Sequence, residues 1–529
     1  MLFLAFADRT CAKDPATDSI PDALPAPSLP AGLDWDGEPS LFPTLQRLSA
    51  RTGIGLPRQS WPLSVDEIRV FLRKVGDRAG LTAADSSDLE EFLAGPRELK
   101  RWTRRDDGTF LAIEPGVVGD VRRDSSLTRR LISLGGTMYG SLGGQIQWYS
   151  QAFISTEWAN QFIYYDRYQD PDGEPSEVPF GDPTRNGLYQ KRTFNRYVAW
   201  AQWEHNWLTL KYGRDHLQHG PGEWTGLTTS RFAAPVTFFD VRIEPFPWLS
   251  VQSTTLHLLP TDVQGGSSLP TWFPGDSQKW MQIQRFELRP FEGVAVAFQD
   301  QVVYPDSGGL QPEYLLPLVP AFFTQDLAGN GPNAAMQFDA RVDRIPFTSL
   351  WGALLIDDLD GPTTMFNDHW LNRWAALAGF RVVSPWRSFD ADLTSEVSWV
   401  RPWTFTEERG NGYTFSNDGT VLGTEGGPDS RSFHVRALWR PQRLLEMGPE
   451  FDQQEKGIGR RATLGALHGP GDSDSASLLA KSWITRTLTG RLSCEPWLGK
   501  RITASAGYAW SDSTRYAGWQ WSLEGAVGW

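Results

Sequence analysis

The densest run of chemically capable side chains lies between Arg214 and Trp224, where Arg214, Asp215, His216, His219 and Trp224 surround Gly220-Pro221-Gly222. Arginine, carboxylate and imidazole groups can bond sugar hydroxyls, and an indole face can cover sugar C–H surface. Arg401 and Trp403 form a second such pair. The plainer reading makes Gly220 and Gly222 turn residues and Arg214–Asp215 an ion pair inside a wet interior. His216 and His219 share metal-like spacing, but no Cys or further His lies nearby, so a metal site is not completed. Asp357-Asp358 resembles a catalytic carboxylate pair only superficially. Neighbours on a strand face opposite ways and cannot act together as acid and nucleophile unless the segment bends; loop capping or interior hydrogen bonding fits better. There is no G-x-S-x-G, phosphate loop or paired-Cys site. Catalysis is not supported, and no cofactor or metal is implied.

These side chains must be positioned by a large scaffold. The chain has 529 residues, 40% of them hydrophobic, with a mean hydropathy of −0.39. That is too long for one ordinary domain unless a single sheet or barrel organises it. No stretch approaches the roughly 18–20 apolar residues of a membrane helix. A membrane barrel stays open, because lipid-facing residues alternate with polar ones and keep the average low. The 25 Trp and the 13% aromatic content favour it, since indole suits a membrane–water interface. The 51 Gly and 37 Pro suit many strands joined by turns. A net charge of −13 argues against nucleic acid as a partner. Cys11 and Cys494 stand far apart and support no disulfide; Asp8-Arg9-Thr10 before Cys11 is wrong for a lipid-attachment signal.

The apolar Leu2 to Ala7 ends in Ala5-Phe6-Ala7 before Asp8, an A-x-A pattern without a basic flank. The expectation is a clipped export signal. Residues 8–36 carry Pro15, Pro21, Pro25, Pro27 and Pro30 and read as an extended leader. Leu41, Leu45 and Leu48 then take helical spacing. Ser64-Val65-Asp66-Glu67 is a capping box before the stripe Ile68, Phe71, Leu72 and Val75. Thr82 is the next N-cap, ahead of Leu89, Phe92 and Leu93, with Gly95-Pro96 as the stop. Three such helices must pack on one another and on a barrel end.

From about 127 the period becomes two. Met336, Phe338, Ala340 and Val342 oppose Gln337, Asp339, Arg341 and Asp343. Ala391, Leu393, Val397 and Trp399 oppose Asp392, Thr394, Glu396 and Ser398, and Leu208, Leu210 and Tyr212 oppose Thr209 and Lys211. A soluble sandwich or propeller would alternate too, though no 40–50-residue repeat supports a propeller. The closing strand decides for the barrel. Trp519, Trp521, Leu523, Val527 and Trp529 share one face against Gln520, Ser522 and Glu524. Outer-membrane barrels end in this way, on a strand read by the envelope's barrel assembly machinery. At about 10 residues per strand, there is room for 16 to 20.

Ordered motifs add a resemblance. Leu210-Lys211-Tyr212-Gly213-Arg214-Asp215 with Gly220-Pro221-Gly222 resembles the GR…GPG segment of the Wzi-type capsule assembly family. Arg289-Pro290-Phe291, Pro312-Glu313-Tyr314-Leu315, Ile356-Asp357-Asp358 and Val400-Arg401-Pro402-Trp403-Thr404-Phe405 follow in order, then Leu422-Gly423 and Gly427-Pro428-Asp429. Ser60-Trp61-Pro62-Leu63 before a capped helix fits the same family's opening. The resemblance covers the chain after residue 38, with 165–187 and 451–478 as loops outside it.

It implies a mainly β fold: an antiparallel outer-membrane barrel of about 18 strands, with an N-terminal helical bundle plugging the periplasmic end. The expected organisation is leader 1–37, plug 38–100 and transmembrane barrel 101–529. The expected role is that of a non-enzymatic lectin in a Gram-negative outer membrane, in contact with lipid, holding capsular polysaccharide or exopolysaccharide. Arg214, Asp215, His216, Trp224, Arg401 and Trp403 are the expected glycan contacts. A porin or carbohydrate-uptake channel is the main rival, and an envelope glycan-modifying enzyme the third reading.

Overall fold

The computed structural model describes residues 41–528, apart from 90–101, 124–127, 160–189, 260–277, 316–331, 407–412, 458–481, 512–516 and a few one- or two-residue breaks. The leader, the clipped signal, Cys11, Ser64, Phe92, Leu93, Gly95-Pro96 and Trp529 therefore lie outside the described residues.

Eighteen antiparallel strands close into one barrel. The first six are β1 (Thr109–Arg123), β2 (Thr128–Leu142), β3 (Ile146–Ala159), β4 (Gln190–His205), β5 (Leu208–Asp215) and β6 (Val236–Phe246). The next six are β7 (Leu249–Leu258), β8 (Lys279–Phe291), β9 (Val294–Pro305), β10 (Asn333–Val342), β11 (Thr348–Asp358) and β12 (Arg373–Val383). The wall ends with β13 (Ala391–Val400), β14 (Ser430–Gln442), β15 (Leu445–Gly457), β16 (Ser482–Trp497), β17 (Lys500–Ser511) and β18 (Ala517–Gly528). β18 pairs β1 from Trp521↔Arg123 to Gly528↔Gly116 and so seals the wall. A short strand, Trp102–Asp106, continues that seam along β1.

The side-chain pattern is that of a soluble protein turned inside out. On β10, Phe338 is 48% exposed while Gln337 is fully buried. On β13, Leu393, Val397 and Trp399 face outward and Asp392, Thr394 and Glu396 are buried. On β5 the outward Tyr212 opposes buried Thr209 and Lys211. On the closing strand, Trp519, Trp521 and Leu523 are exposed. Ile132, Leu134, Ile154 and Leu488 extend the apolar exterior. A surface so continuously apolar marks a lipid boundary, and a closed barrel leaves no unpaired edge within it. This is the outer-membrane barrel pattern, not a sandwich or propeller.

Two boundaries differ from expectation, one from the period and one from the resemblance. The wall begins at Thr109, a strand earlier than residue 127, because Pro115, Gly116 and Gly119 interrupt the alternation of β1. Residues 451–457, expected as loop, belong to β15, whose run Phe451-Asp452-Gln453-Gln454-Glu455 pairs β14 and β16. Cys494 sits on β16 as a free thiol.

The connections sort by end. Turns such as Glu204 to Trp207 and Phe291 to Val294 are short, whereas the links after β3, β7, β9, β13 and β15 are long. Inside the short-turn end lie α1 (Leu41–Thr52) and α2 (Val65–Gly76). Leu45, Leu48, Ile68, Phe71, Leu72, Val75 and Leu89 form one buried cluster. Thr82 caps the next helical turn: its Oγ1 accepts from Asp85 N at 3.1 Å, and Asp85 Oδ2 accepts from Thr82 N at 3.1 Å.

Candidate functional site

The link from β5 to β6 does not extend away from the barrel; it folds into the lumen. Gly220 makes the reversal possible with φ at +113°, in the region that favours glycine. At Gly222 a Cβ would lie 1.6 Å from the Thr225 carbonyl oxygen, far inside contact distance. Gly222→Ala is therefore expected to lower stability by roughly 2–3 kcal/mol or more, read as a fall in melting temperature of the detergent-solubilised barrel.

The loop tip is held by a carboxylate from the wall. Glu396 accepts hydrogen bonds from the backbone N–H of Glu223 (2.7 Å), Trp224 (3.1 Å) and Thr225 (2.9 Å), and from Trp351 Nε1 (2.7 Å). Glu223 meets Arg381 at 2.8 Å and Arg436 at 2.9 Å. Burial alone would raise the Glu223 carboxyl, but Arg381 and Arg436 outweigh it and hold the group below the usual range. Trp224 stacks on His434 at 5.5 Å, with the Arg436 guanidinium 5.0 Å from its ring centre.

The two histidines do not form a metal pair. His216 Nδ1 bonds the Ala233 carbonyl at 2.8 Å, and His219 Nδ1 bonds Thr229 Oγ1 at 2.7 Å. Among the described residues no group of three His, Cys, Asp or Glu side chains could hold a metal. Burial, with Arg285 and Arg58 nearby, pushes His219 down to about 3. A histidine depressed in the folded state binds protons more weakly than the unfolded chain does, so stability falls as pH drops below about 6.5. At pH 5 this costs about 2 kcal/mol. Melting curves at pH 7.5 and pH 5 are expected to show this loss, and His219→Gln to remove that part of it.

Further layers cover the loop from both sides. From the helical side, Ser60 and Trp61 pair antiparallel with His219 and Gln218. From the long-loop side, Ser230 N donates to the Leu422 carbonyl at 2.6 Å, and Asn417 Nδ2 reaches the Ala234 carbonyl. Leu217, Leu227, Phe405, Phe415, Leu422 and Trp351 share one buried apolar cluster. Asp357 ties this lid to the wall by accepting the Phe405 N–H at 2.9 Å, while Asp358 is 46% exposed and pairs with Arg373. The adjacent carboxylates thus diverge, as strand geometry requires.

The six residues expected to contact glycan are not brought together. Arg214 lies on the outer face, its guanidinium 5.3 Å from the ring of the exposed Tyr197. Asp215 faces inward and accepts the His216 N–H at 2.7 Å, so Arg214 and Asp215 form no interior ion pair. His216 and Trp224 belong to the inward loop. Arg401 and Trp403 lie at the long-loop rim, Arg401 donating to the Asn367 carbonyl at 3.0 Å and Trp403 buried with φ at +66°. Sequence reasoning missed Glu223, Arg381, Glu396 and Arg436, which organise the interior. Glu223 directly follows the GPG motif, and Glu396 stands on the polar face of its strand; both signals were present.

No family model matches the chain, and no curated protein matches it. Among solved structures the chain is similar to Wzi of Escherichia coli, described as an outer-membrane protein involved in group 1 capsule assembly and a carbohydrate-binding β-barrel. The identity is 14%, covering 93% of this chain and 98% of that one, with a TM-score of 0.59. OprD of Pseudomonas aeruginosa matches at 7% identity over 79% of this chain and 95% of that one, TM-score 0.40. OccK2 of the same organism, solved with glucuronate, matches at 9% over 79% and 97%, TM-score 0.42. The likeness to Wzi concerns the fold.

Proposed function

We propose that this chain is a non-enzymatic lectin of a Gram-negative outer membrane that holds capsular polysaccharide or exopolysaccharide at the cell surface. The observation that carries the reading is the lumen filled by the described residues. Helices, the 216–235 loop and the described lid residues 401–406, 413–417 and 420–424 succeed one another along the axis, bound by paired charges and a buried apolar cluster. A transport channel needs a continuous wet path, whereas a surface holder needs only a rigid frame for its loops. The ordered motifs from Gly213 to Asp429 and the Wzi likeness support the polysaccharide as partner. In this reading 1–37 is leader, 38–100 a periplasmic plug and 101–529 the transmembrane barrel, inserted by the barrel assembly machinery. Within it, the buried Arg401 and Trp403 support the glycan-facing rim from beneath, while Asp215, His216 and Trp224 hold the inward loop.

Planar-bilayer recording separates this from a porin or uptake channel. The expected trace is silent, with rare brief openings; a steady open conductance would favour the channel.

A further inference from the structure

Among the described residues the outer face carries four arginine–tryptophan pairs, and all four lie toward the long-loop end. In direct register across neighbouring strands stand Arg123 and Trp521, Arg130 and Trp158, Arg431 and Trp399, and Arg486 and Trp510. The Arg431 guanidinium lies 4.8 Å from the Trp399 ring centre. Strand alternation fixes their side: each is an even number of residues from an outward apolar neighbour, Val117, Ile132, Phe433 or Leu488. Arg123, Arg130, Trp399 and Trp521 are themselves exposed. Arg123 ends β1, Arg130 is third on β2, Arg431 second on β14 and Arg486 fifth on β16, each near the long-loop terminus of its strand.

The strands concerned run from β13 to β18 and, across the seam, through β1 to β3. They are consecutive in the wall and make up half its circumference. At the short-turn end the exposed aromatics stack on one another instead: Phe246 on Trp248 at 5.1 Å and Phe389 on Trp439 at 6.3 Å. There Arg344 lies 5.7 Å from the Phe291 ring.

An arginine on the lipid side of a barrel is costly in hydrocarbon and must sit at headgroup depth. Tryptophan beside it favours that same depth. The guanidinium fork matches a phosphate in two-point contact, and the indole face suits the sugar and upper acyl surface of a lipid. We propose that this arc binds the phosphates of an acylated, phosphorylated glycolipid in the leaflet around the long-loop end. The inference rests on the outer-membrane reading above.

The test uses the full chain in detergent, with bisphosphorylated lipid A and its dephosphorylated form as probes, and native mass spectrometry to measure retention. Wild type and Arg344→Gln are expected to retain the bisphosphorylated lipid. The R123Q/R130Q/R431Q/R486Q variant is expected to bind it at least about tenfold more weakly, and wild type to hold the dephosphorylated lipid more weakly by a similar factor. Equal retention by wild type and the quadruple variant, or no preference for phosphate, would overturn the inference. Heat-modifiable gel migration checks that the variant folds; if it does not, the two-lipid comparison on wild type decides alone. Insertion of wild type into phosphatidylcholine vesicles separates the two readings. No insertion removes the membrane assignment, whereas insertion without phosphate preference overturns only the lipid site.

Discussion

Replacing Glu396 with alanine is expected to release the 216–235 loop and strongly destabilise the barrel. The carboxylate serves three consecutive backbone N–H groups and the Trp351 indole N–H, all in the interior. Each buried donor left without an acceptor costs about 1–3 kcal/mol. Four together approach the whole stability of an ordinary domain, about 5–15 kcal/mol, so the loop should leave rather than stay unsatisfied. The expected signs are protease cleavage within 216–235, a large fall in melting temperature and bursts of conductance. Glu396→Gln keeps one acceptor oxygen and the shape, and should lie between wild type and alanine. If Glu396→Ala melts like wild type and resists cleavage, the carboxylate is not what holds the loop.

The second large effect is expected at Asp85, which anchors the helices at the short-turn end. Its carboxylate lies 3.0 Å from Arg47 Nε and 2.6 Å from Arg51 Nε, and Arg51 Nη2 continues to Asp390 at 2.7 Å. Burial would raise the Asp85 carboxyl, but Arg47 and Arg51, helped by Thr82, hold it below its ordinary value. Burial also lowers Arg51, against the pull of Asp85 and Asp390. Asp85→Ala leaves two buried guanidinium groups short of a partner and should cost about 3–5 kcal/mol. It also removes half of the Thr82 cap. Limited proteolysis should then cut between residues 41 and 89 while the strands stay protected. The pH sign follows from the depressed carboxyl: its stabilisation is full near neutral pH and fades in acid, as pH falls through the folded value. A variant whose helical segment resists protease like wild type would contradict the anchor.

The wall is largely legible in the sequence, because lipid on one side and paired polar groups on the other impose a strict period of two. Phe338, Val397 and Tyr212 fall on the outward face the alternation predicts, and Trp519, Trp521 and Leu523 mark the closing strand as expected. The helical stripes and the Thr82 cap were equally legible, since both are local rules. What local pattern leaves open is long-range. Period alone cannot tell an extended loop from one folded inward, so nothing in the sequence places His216 and Trp224 on a loop that packs into the lumen. Strand alternation turns Arg214 and Asp215 to opposite faces, as it does Asp357 and Asp358. Glu223 and Glu396 meet across 173 residues of sequence, a distance no local pattern spans.

The central claim is that this barrel holds polysaccharide at the surface instead of passing solute. The most direct measurement compares cell-bound and released polysaccharide in a strain lacking the chain and in the same strain with it restored. The account predicts release into the medium without reduced synthesis, reversed on restoration. Unchanged retention in the deleted strain would contradict it.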